Sequence, residues 1–183
     1  MANDKLKLED LLTGVQRTDD SERIEYVAII GGGVMGQGIA QTISAAGIDV
    51  LLVERDKDGM ERAKDSLKAS MEREIARWAM TQSEMKSILS RIKWTFDKNE
   101  IPECDLIIEA VDESIDLKKK IFRELDAIAR PDTIFISNTS TLSLTKIADA
   151  TKRKDKIIGM HFLNPVPKVA LVELVKALET YDE

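Results

Sequence analysis

The sequence of 183 residues contains little of what builds disulfides, metal clusters and rigid loops: it has one cysteine, one histidine and four prolines. The single cysteine, Cys104, excludes an internal disulfide and a cysteine metal cluster, and we expect no metal site. This usage suits a reducing compartment. We therefore expect a cytoplasmic protein in which Cys104 is a small buried hydrophobic residue.

The chain also lacks any apolar run close to the ~20 residues that would span a bilayer. Its first residues, MANDKLKLEDLL, have neither the apolar core nor the small-residue cleavage site of a secretory signal. The net charge of −6 argues against a nucleic-acid-binding surface. With 43% hydrophobic and 33% charged residues, we expect one ordinary globular domain that binds neither membranes nor nucleic acids.

The stretch from Tyr26 to Glu54 carries the strongest pattern in the sequence. A short apolar run, Val27 to Ile30, ends at three glycines, and a helix-like periodic stretch follows from Met35 to Ala46. A second apolar run, Val50 to Val53, comes next. Strand, glycine-rich turn, helix and strand in this order predict one βαβ unit.

Gly31, Gly33 and Gly36 fit the pattern Gly-x-Gly-x-x-Gly at the strand-to-helix turn. In a dinucleotide-binding fold the first glycine allows the tight turn, the second admits the pyrophosphate, and the third lets helix and strand pack closely. The helix that starts here directs free N–H groups and its positive end at the phosphates. We therefore expect the cofactor to contact the residues of this turn, namely Gly31, Gly32, Gly33, Val34, Met35 and Gly36.

Glu54 closes the second strand 21 residues after Gly33. An acid that binds the ribose hydroxyls is expected at a spacing of ~20 residues. Because a carboxylate repels the 2′-phosphate of NADP, Glu54 favours NAD. The neighbouring Arg55 leaves NADP open, since an arginine at this place can accept that phosphate.

The rest of the chain predicts a Rossmann-type α/β domain: a doubly wound, mostly parallel sheet with a protruding helix pair after the second strand. The first helix of the pair is predicted at 58–79, and a capping box at Thr81–Glu84 predicts the second at 82–91. This pair is either a solvated, charged excursion or a surface that contacts substrate or a partner. Further strands are predicted at 92–95, 106–110, 133–137 and 157–160, with a last apolar run at 169–175.

Residues 1–23 precede this domain and are polar and charged. Within them, one face of a short predicted helix carries Leu8, Leu11, Leu12 and Val15. This leader is either a frayed linker or a segment that docks on the domain or on a partner. We assign 24–183 to the dinucleotide-binding domain.

Three polar side chains are predicted near strand ends, where ligands bind in open α/β sheets. His161, the only histidine, follows a predicted strand and can exchange a proton near neutral pH. Glu173 can accept a hydrogen bond from one ring nitrogen of His161, and Ser140 can donate to a substrate oxygen. Alternatively, Glu173 is a partly exposed strand carboxylate and Ser140 a turn or capping residue. A dinucleotide fold with one general base predicts hydride transfer between an alcohol and a nicotinamide.

Four segments of the chain resemble, in order and spacing, the NAD-binding domain of L-3-hydroxyacyl-CoA dehydrogenases. They read IIGGGVMGQGIAQ, IIEAVDES, ISNTSTLSLTKIA and GMHFLNPVP. That family includes 3-hydroxybutyryl-CoA dehydrogenases and the dehydrogenase part of multifunctional β-oxidation enzymes. The resemblance covers 25–177. It implies an oxidoreductase that converts L-3-hydroxyacyl-CoA into 3-oxoacyl-CoA with NAD, in fatty-acid β-oxidation or butyrate-type metabolism.

The resemblance also implies catalytic roles. His161 matches the base that takes the proton of the C3 hydroxyl, and Glu173 matches the carboxylate that pairs with this histidine. Ser140 matches the serine that hydrogen-bonds the C3 oxygen of the substrate. Glu54 matches an acid on the adenine ribose.

Other binding positions are implied by the resemblance alone. Family positions near the cofactor match Glu113, Lys118 and Asn164. Family positions on the protruding helix that touch coenzyme A match Ser70 and Arg77, where a lysine is common at the second place.

The largest departure from the family pattern is length. Family enzymes continue with a helical domain that builds the dimer and adds an asparagine to the substrate site, and we expect that domain to be absent here. The chain would then act as a homo-oligomer, with a separate helical-domain partner, or as one subunit of a split dehydrogenase. A non-catalytic dinucleotide-binding or interaction module stays open. So does an enzyme of the β-hydroxyacid or 6-phosphogluconate type, which would need a catalytic lysine in a different helical domain and would use NADP.

Overall fold

The computed structural model describes residues 24–181, so the short helix predicted around Leu8 to Val15 lies outside the described residues. Within them the chain alternates strands and helices around a seven-stranded sheet. The strands are β1 Tyr26–Ile30, β2 Asp49–Val53, β3 Ile92–Thr95, β4 Leu106–Glu109, β5 Ile134–Ser137, β6 Ile157–Phe162 and β7 Val172–Lys176. The helices are α1 Val34–Ala45, α2 Lys57–Ala76, α3 Gln82–Ser90, α4 Ile115–Ile128 and α5 Leu144–Ala148, and two 3₁₀ helices cover Lys98–Glu103 and Lys154–Lys156.

The strand order is β3-β2-β1-β4-β5-β6-β7. All neighbouring strands from β3 to β6 are parallel, and β7 alone runs antiparallel to its neighbour, β6. The chain winds outwards from β1 in one direction and from β4 in the other, so the switch point lies between these two strands. The predicted Rossmann-type, doubly wound and mostly parallel sheet is confirmed.

Both faces of the sheet are covered because its inner strands are apolar on both sides. Val27 and Ile29 of β1 cluster with apolar side chains of α1, α2 and α3. Ala28 and Ile30 cluster on the other face with side chains of α4 and α5. Among residues 24–181, no helix combines the length and apolar character that crossing a bilayer requires.

The first helix of the pair after β2 ends earlier than predicted. Helix α2 stops at Ala76 rather than at residue 79, because Trp78 has a left-handed backbone conformation with φ of 59°. The N–H groups of Trp78 and Ala79 donate to the carbonyl oxygens of Ile75 and Glu74, each at 3.0 Å. These bonds close the last turn of the helix and reverse the chain towards α3.

Cys104 is fully buried, as predicted. Desolvation raises the pKa of its thiol to about 12, which keeps the thiol protonated. Its carbonyl oxygen accepts a hydrogen bond from the buried hydroxyl of Thr133 at 3.0 Å. Cys104 therefore belongs to the apolar core on the face of the sheet that α4 and α5 cover.

Candidate functional site

The carboxyl ends of β1, β4, β5 and β6 lie along one edge of the sheet. The loops that follow them surround a cavity of about 310 Å³, which we call the His161 cavity. Its lining residues are Met35, Ala110, Val111, Glu113, Asn138, Ser140, His161, Phe162, Leu163 and Asn164. Five of the site residues expected from the sequence therefore meet at one place.

His161 faces Glu173 across two neighbouring strands. The predicted strand ended before His161, but β6 continues to Phe162 because β7 pairs with it, with His161 directly opposite Glu173. The ring atom Nδ1 lies 2.8 Å from Oε2 of Glu173. Since a carboxylate only accepts, Nδ1 carries the hydrogen, and in the neutral ring Nε2 keeps its lone pair. The side chain of His161 is 24% exposed, so solutes can reach it.

Ser140 lies in a short segment that is held by Glu113, another lining residue of the His161 cavity. The Glu113 carboxylate accepts hydrogen bonds from the hydroxyl of Thr139 (2.5 Å) and from the N–H groups of Ser140 and Thr141 (3.1 Å each). Partial burial would raise the pKa of Glu113. The hydrogen bonds from Thr139 and Thr141 and the charge of Lys118 outweigh burial and lower that pKa to about 2.

Lys118 does not line the His161 cavity, although the family pattern places it near the cofactor. Its side chain is 1% exposed and lies between two carboxylates, at 2.6 Å from Glu109 and 3.2 Å from Glu113. The sequence reasoning missed Glu109, which is completely buried and accepts a further hydrogen bond from Ser137 at 2.7 Å. One signal for it existed: an acid at the end of an otherwise apolar buried strand.

Asn138 lines the His161 cavity, and the sequence reasoning did not single it out as a site residue. Its Oδ1 accepts a hydrogen bond from the N–H of Phe162 at 2.9 Å. This bond joins the segment after β5 to the strand that carries His161. Asn138 therefore ties the Ser140 segment to the histidine.

The glycine-rich turn after β1 is closely packed at two glycines and open at a third. Gly31 has φ of +102°, and a Cβ there would lie 2.9 Å from the carbonyl oxygen of Ala110. A Cβ on Gly36 would lie 1.8 Å from the carbonyl oxygen of Gly31. A Cβ on Gly33, the N-cap of α1, would meet no atom within 4 Å. Gly31 and Gly36 are thus needed by the turn, whereas Gly33 leaves open space before a helix N-terminus.

Glu54 lies beside this turn. Its Oε1 accepts a hydrogen bond from the N–H of Gly32 at 2.6 Å, and its Oε2 accepts one from the N–H of Arg55 at 3.0 Å. A cavity of about 480 Å³ opens here. It is lined by Ile30, Gly31, Gly33, Val53, Glu54, Arg55, Lys98, Ala110, Val111, Asp112, Leu117, Lys120, Ile121 and Glu124. Glycine turn, acid and cavity together fit a dinucleotide with its ribose near Glu54.

Ser70 and Arg77 line neither cavity. Ser70 is half-buried on α2, and Arg77 is exposed just beyond the end of that helix. The helix is nevertheless joined to the loop after His161, because Nζ of Lys168 lies 2.8 Å from Oε1 of Glu74. The structure thus places Ser70 on this helix and Arg77 at its end, and one ion pair joins the helix to the loop after His161.

Comparison with known proteins gives one family for nearly the whole described chain. A family model described as "3-hydroxyacyl-CoA dehydrogenase, NAD binding domain" matches residues 26–183. The 3-hydroxybutyryl-CoA dehydrogenase of Bradyrhizobium diazoefficiens is 38% identical over 159 residues, which are 87% of this chain and 54% of that protein. The mitochondrial hydroxyacyl-coenzyme A dehydrogenase of Rattus norvegicus is 39% identical over 84% of this chain and 51% of its own length.

Solved structures give the same result. The crystal structure of (S)-3-hydroxybutyryl-CoA dehydrogenase from Ralstonia eutropha matches with a TM-score of 0.83 and 40% identity. The match covers 87% of this chain and 56% of that one. The chain therefore spans about half the length of the relatives that it matches.

Proposed function

The chain belongs to the 3-hydroxyacyl-CoA dehydrogenase family, and on that premise we propose that it takes part in the NAD-dependent oxidation of L-3-hydroxyacyl-CoA to 3-oxoacyl-CoA. One observation carries the proposal: His161, which pairs with Glu173, lines a cavity that it shares with Ser140. This combination supplies a general base, its orienting carboxylate and a hydrogen-bond donor. These are the groups that oxidation of an alcohol needs beside a hydride acceptor.

Each of the three side chains has one task in this reaction. Because Glu173 accepts the Nδ1–H of His161, Nε2 is free to take the proton of the C3 hydroxyl. The carboxylate also stabilises the positive charge that then develops on the ring. Ser140 donates a hydrogen bond to the C3 oxygen and orients the substrate. NAD, when bound, supplies the hydride acceptor.

The cofactor is assigned to the glycine-rich turn. We propose that the turn residues expected from the sequence bind the pyrophosphate of NAD and that Glu54 binds the adenine ribose. The open space at Gly33 and the position of Glu54 beside Gly32 support this. Glu113, Lys118 and Asn164 are proposed to lie near the cofactor, Glu113 and Asn164 as lining residues and Lys118 behind them. The turn residues proposed to bind the pyrophosphate are Gly31, Gly32, Gly33, Val34, Met35 and Gly36.

We propose that Ser70 and Arg77 contact the coenzyme A part of the thioester. The exposed cation of Arg77 suits a phosphate, and the Lys168–Glu74 ion pair joins helix α2 to the loop after His161. Ser70 on this helix and Arg77 at its end therefore lie on an element that an ion pair joins to the loop after His161.

A helical-domain partner is the second part of the proposal. Nearly half the length of the matched relatives lies outside the match. Large apolar side chains are exposed along β7 and after it, at Leu174, Val175, Leu178 and Tyr181. We propose that a helical domain, in this protein or on a partner chain, covers them. On a partner chain it would make this chain one subunit of a split dehydrogenase. Sedimentation of the chain alone would reveal a homo-oligomer instead.

The metabolic role and the cell compartment are proposed from the names of the relatives and from the free thiol of Cys104. Relatives named 3-hydroxybutyryl-CoA dehydrogenase support a role in butyrate-type metabolism or fatty-acid β-oxidation. The buried free thiol of Cys104 suits a reducing compartment, and we propose the cytoplasm. Immunodetection after cell fractionation tests this assignment.

The experiment that tests the function is NADH oxidation with acetoacetyl-CoA, beside a direct titration with NADH and with NADPH. His161→Gln should lower turnover by at least about a hundredfold, because a general base is lost, while NADH affinity stays unchanged. Lys156→Gln, directly before the same strand, is the matched control and should change neither quantity.

The outcomes separate the alternatives. Turnover by the wild-type chain supports the dehydrogenase, and turnover only after a family helical domain is added in trans supports a split enzyme. NADH binding without turnover in both settings would favour a non-catalytic module. Tighter binding of NADPH together with no response to the thioester would favour an enzyme of the β-hydroxyacid type.

A further inference from the structure

The two oxygens of Glu113 have separate partners inside the protein. Oε1 accepts hydrogen bonds from the hydroxyl of Thr139 (2.5 Å), the N–H of Ser140 (3.1 Å), and both the N–H and the hydroxyl of Thr141 (3.1 Å each). Oε2 lies 3.2 Å from Nζ of Lys118. One carboxylate thus joins an entire loop segment to one cation.

That cation is itself immobilised within the core. Lys118 and Glu109 are 1% and 0% exposed, with 2.6 Å between Nζ and Oε1. Glu109 also accepts hydrogen bonds from the N–H of Val111 (2.8 Å) and the hydroxyl of Ser137 (2.7 Å). A buried ion pair of this kind is stable only when its remaining hydrogen-bonding capacity is satisfied, as it is here. Lys118 is therefore a rigid anchor for Glu113.

The contacts leave the hydroxyl of Ser140 free. Thr139 and Thr141, on either side, both use their hydroxyls to hold Glu113, whereas Ser140 uses only its N–H. Within residues 24–181 the Ser140 hydroxyl has no hydrogen-bond partner, and the residue lines the His161 cavity. Four donors of the segment bind Glu113, and the Ser140 hydroxyl, which the proposed reaction uses, is not among them.

We infer that Glu113 is a positioning residue for Ser140: it clamps the Thr139–Thr141 segment to the buried Lys118–Glu109 pair. The inference rests on the proposed function for the role of Ser140 itself. It adds that Glu113 acts on the reaction through this serine, and that Glu109 acts through Lys118. If Glu113 served mainly to contact the cofactor, its replacement would instead lower the affinity for NADH and leave the Ser140 amide unchanged.

Amide measurements on the purified chain test the clamp without any turnover. Glu113→Gln keeps the shape of the side chain but removes the charge that accepts the loop donors. The amide resonances of Ser140 and Thr141 should move and their hydrogen exchange should quicken by about tenfold or more. Asp116→Asn, an exposed acid in the first turn of α4, is the control and should leave both amides unchanged. Unchanged amides in Glu113→Gln would overturn the inference.

A double-mutant cycle then tests the link to Ser140. Glu113→Gln should lower kcat by about ten- to hundredfold, the effect of one hydrogen bond to a charged group, with a smaller change in the KM for acetoacetyl-CoA. In a Ser140→Ala background the same replacement should change kcat by less than about threefold, because the group on which it acts is gone. Additive effects would overturn the positioning role.

The failure of this inference differs from the failure of the proposed function. A wild-type chain without turnover, alone and with a helical domain in trans, would refute the proposed function. The amide measurements would still show whether Glu113 holds the Thr139–Thr141 segment. A Glu113→Gln chain that loses NADH affinity with its Ser140 amide unmoved would identify Glu113 as a cofactor ligand only, against the inference.

Discussion

Gly33 and Gly36 stand three residues apart in one turn, yet their missing side chains face different surroundings. The backbone of Gly33 has φ of −67°, which any residue can adopt, and a Cβ there would meet no atom within 4 Å. A Cβ on Gly36 would lie 1.8 Å from the carbonyl oxygen of Gly31. Gly36 thus serves packing, whereas Gly33 keeps space open before the N-terminus of α1.

Gly33→Ala should therefore separate ligand binding from folding. We expect its free energy of unfolding to stay within about 1 kcal/mol of the wild type, because a lost capping preference and a stiffer unfolded chain act in opposite directions. The dissociation constant for NADH should rise by about tenfold or more, since the methyl group would take the space proposed for the pyrophosphate. Urea denaturation and fluorescence titration measure the two quantities.

Gly36→Ala is the matched comparison, and it should lose more than about 3 kcal/mol of stability, because the turn has to move. Both variants add the same methyl group to the same turn. If Gly33→Ala bound NADH as tightly as the wild type, the pyrophosphate would not approach Gly33, and the assignment of the turn would need revision.

The residues of the site differ in how easily each can be recognised from the sequence alone. Gly33 belongs to a contiguous motif, and His161 is the only histidine beside an Asn-Pro turn, so both could be found locally. Glu109 could not, because its partners Lys118 and Ser137 lie 9 and 28 residues away and meet it only in the folded sheet. The role of the buried Glu109 charge can be recognised only once these two partners are known.

At the scale of elements, local signals predicted starts better than ends. Strand β3, Ile92–Thr95, has the predicted bounds, but α2 stops three residues early because Trp78 adopts a left-handed conformation that no sequence pattern announces. Strand β6 runs past its predicted end through His161, because pairing with β7 extends it. Both differences arise from contacts made after local structure has formed.

The capping box of α3 is a local signal that the structure confirms. Thr81 Oγ1 accepts a hydrogen bond from the N–H of Glu84 at 3.1 Å, and Glu84 Oε2 accepts one from the N–H of Thr81 at 2.7 Å. Met85 and Ile88 on the same helix are buried in the core. The cap therefore fixes the start of a helix that the core needs.

Thr81→Ala should lower the free energy of unfolding by about 1 kcal/mol, because an N-cap bond is lost and the return bond from Glu84 is weakened. Urea denaturation with unchanged slope would measure the loss. Ser83→Ala, in the first turn of the same helix, removes a hydroxyl without a capping role and should stay within about 0.5 kcal/mol. Equal losses in both variants would contradict the role of the box.

At the scale of the whole molecule, the site exists because the winding of the sheet collects the ends of four strands. The glycine turn follows β1, Glu113 follows β4, Ser140 follows β5, and His161 lies on β6. Parallel neighbours place these residues at one edge although they span more than half of the chain. The class of fold was predictable from alternating elements, and the site followed from it.

Ionised carboxylates stabilise the folded chain, at the site through Glu113 and elsewhere on the surface. Hydrogen bonds or ion pairs lower the pKa of Asp56, Glu74, Glu84, Glu100, Asp105, Glu113 and Asp149 in the folded chain. For Asp105 and Glu113 partial burial acts in the opposite direction and is outweighed. Hydrogen bonds to Glu100 and Asp149 raise the pKa of Lys93 and Lys154.

These shifts predict a stability plateau that falls away in acid. A carboxyl whose pKa is lower in the folded state stabilises the fold above its unfolded pKa, and this contribution is lost as pH falls through the folded value. For Glu113 the window runs from the unfolded value of 4.5 down to about 2. Urea denaturation at a series of pH values should show the free energy of unfolding level near neutrality and declining below about pH 4.5. Glu113→Gln should lie below the wild type at neutral pH, and the gap should narrow through the acid window. A gap that stays constant through that window would mean that the carboxylate of Glu113 is not what its loop donors and Lys118 stabilise.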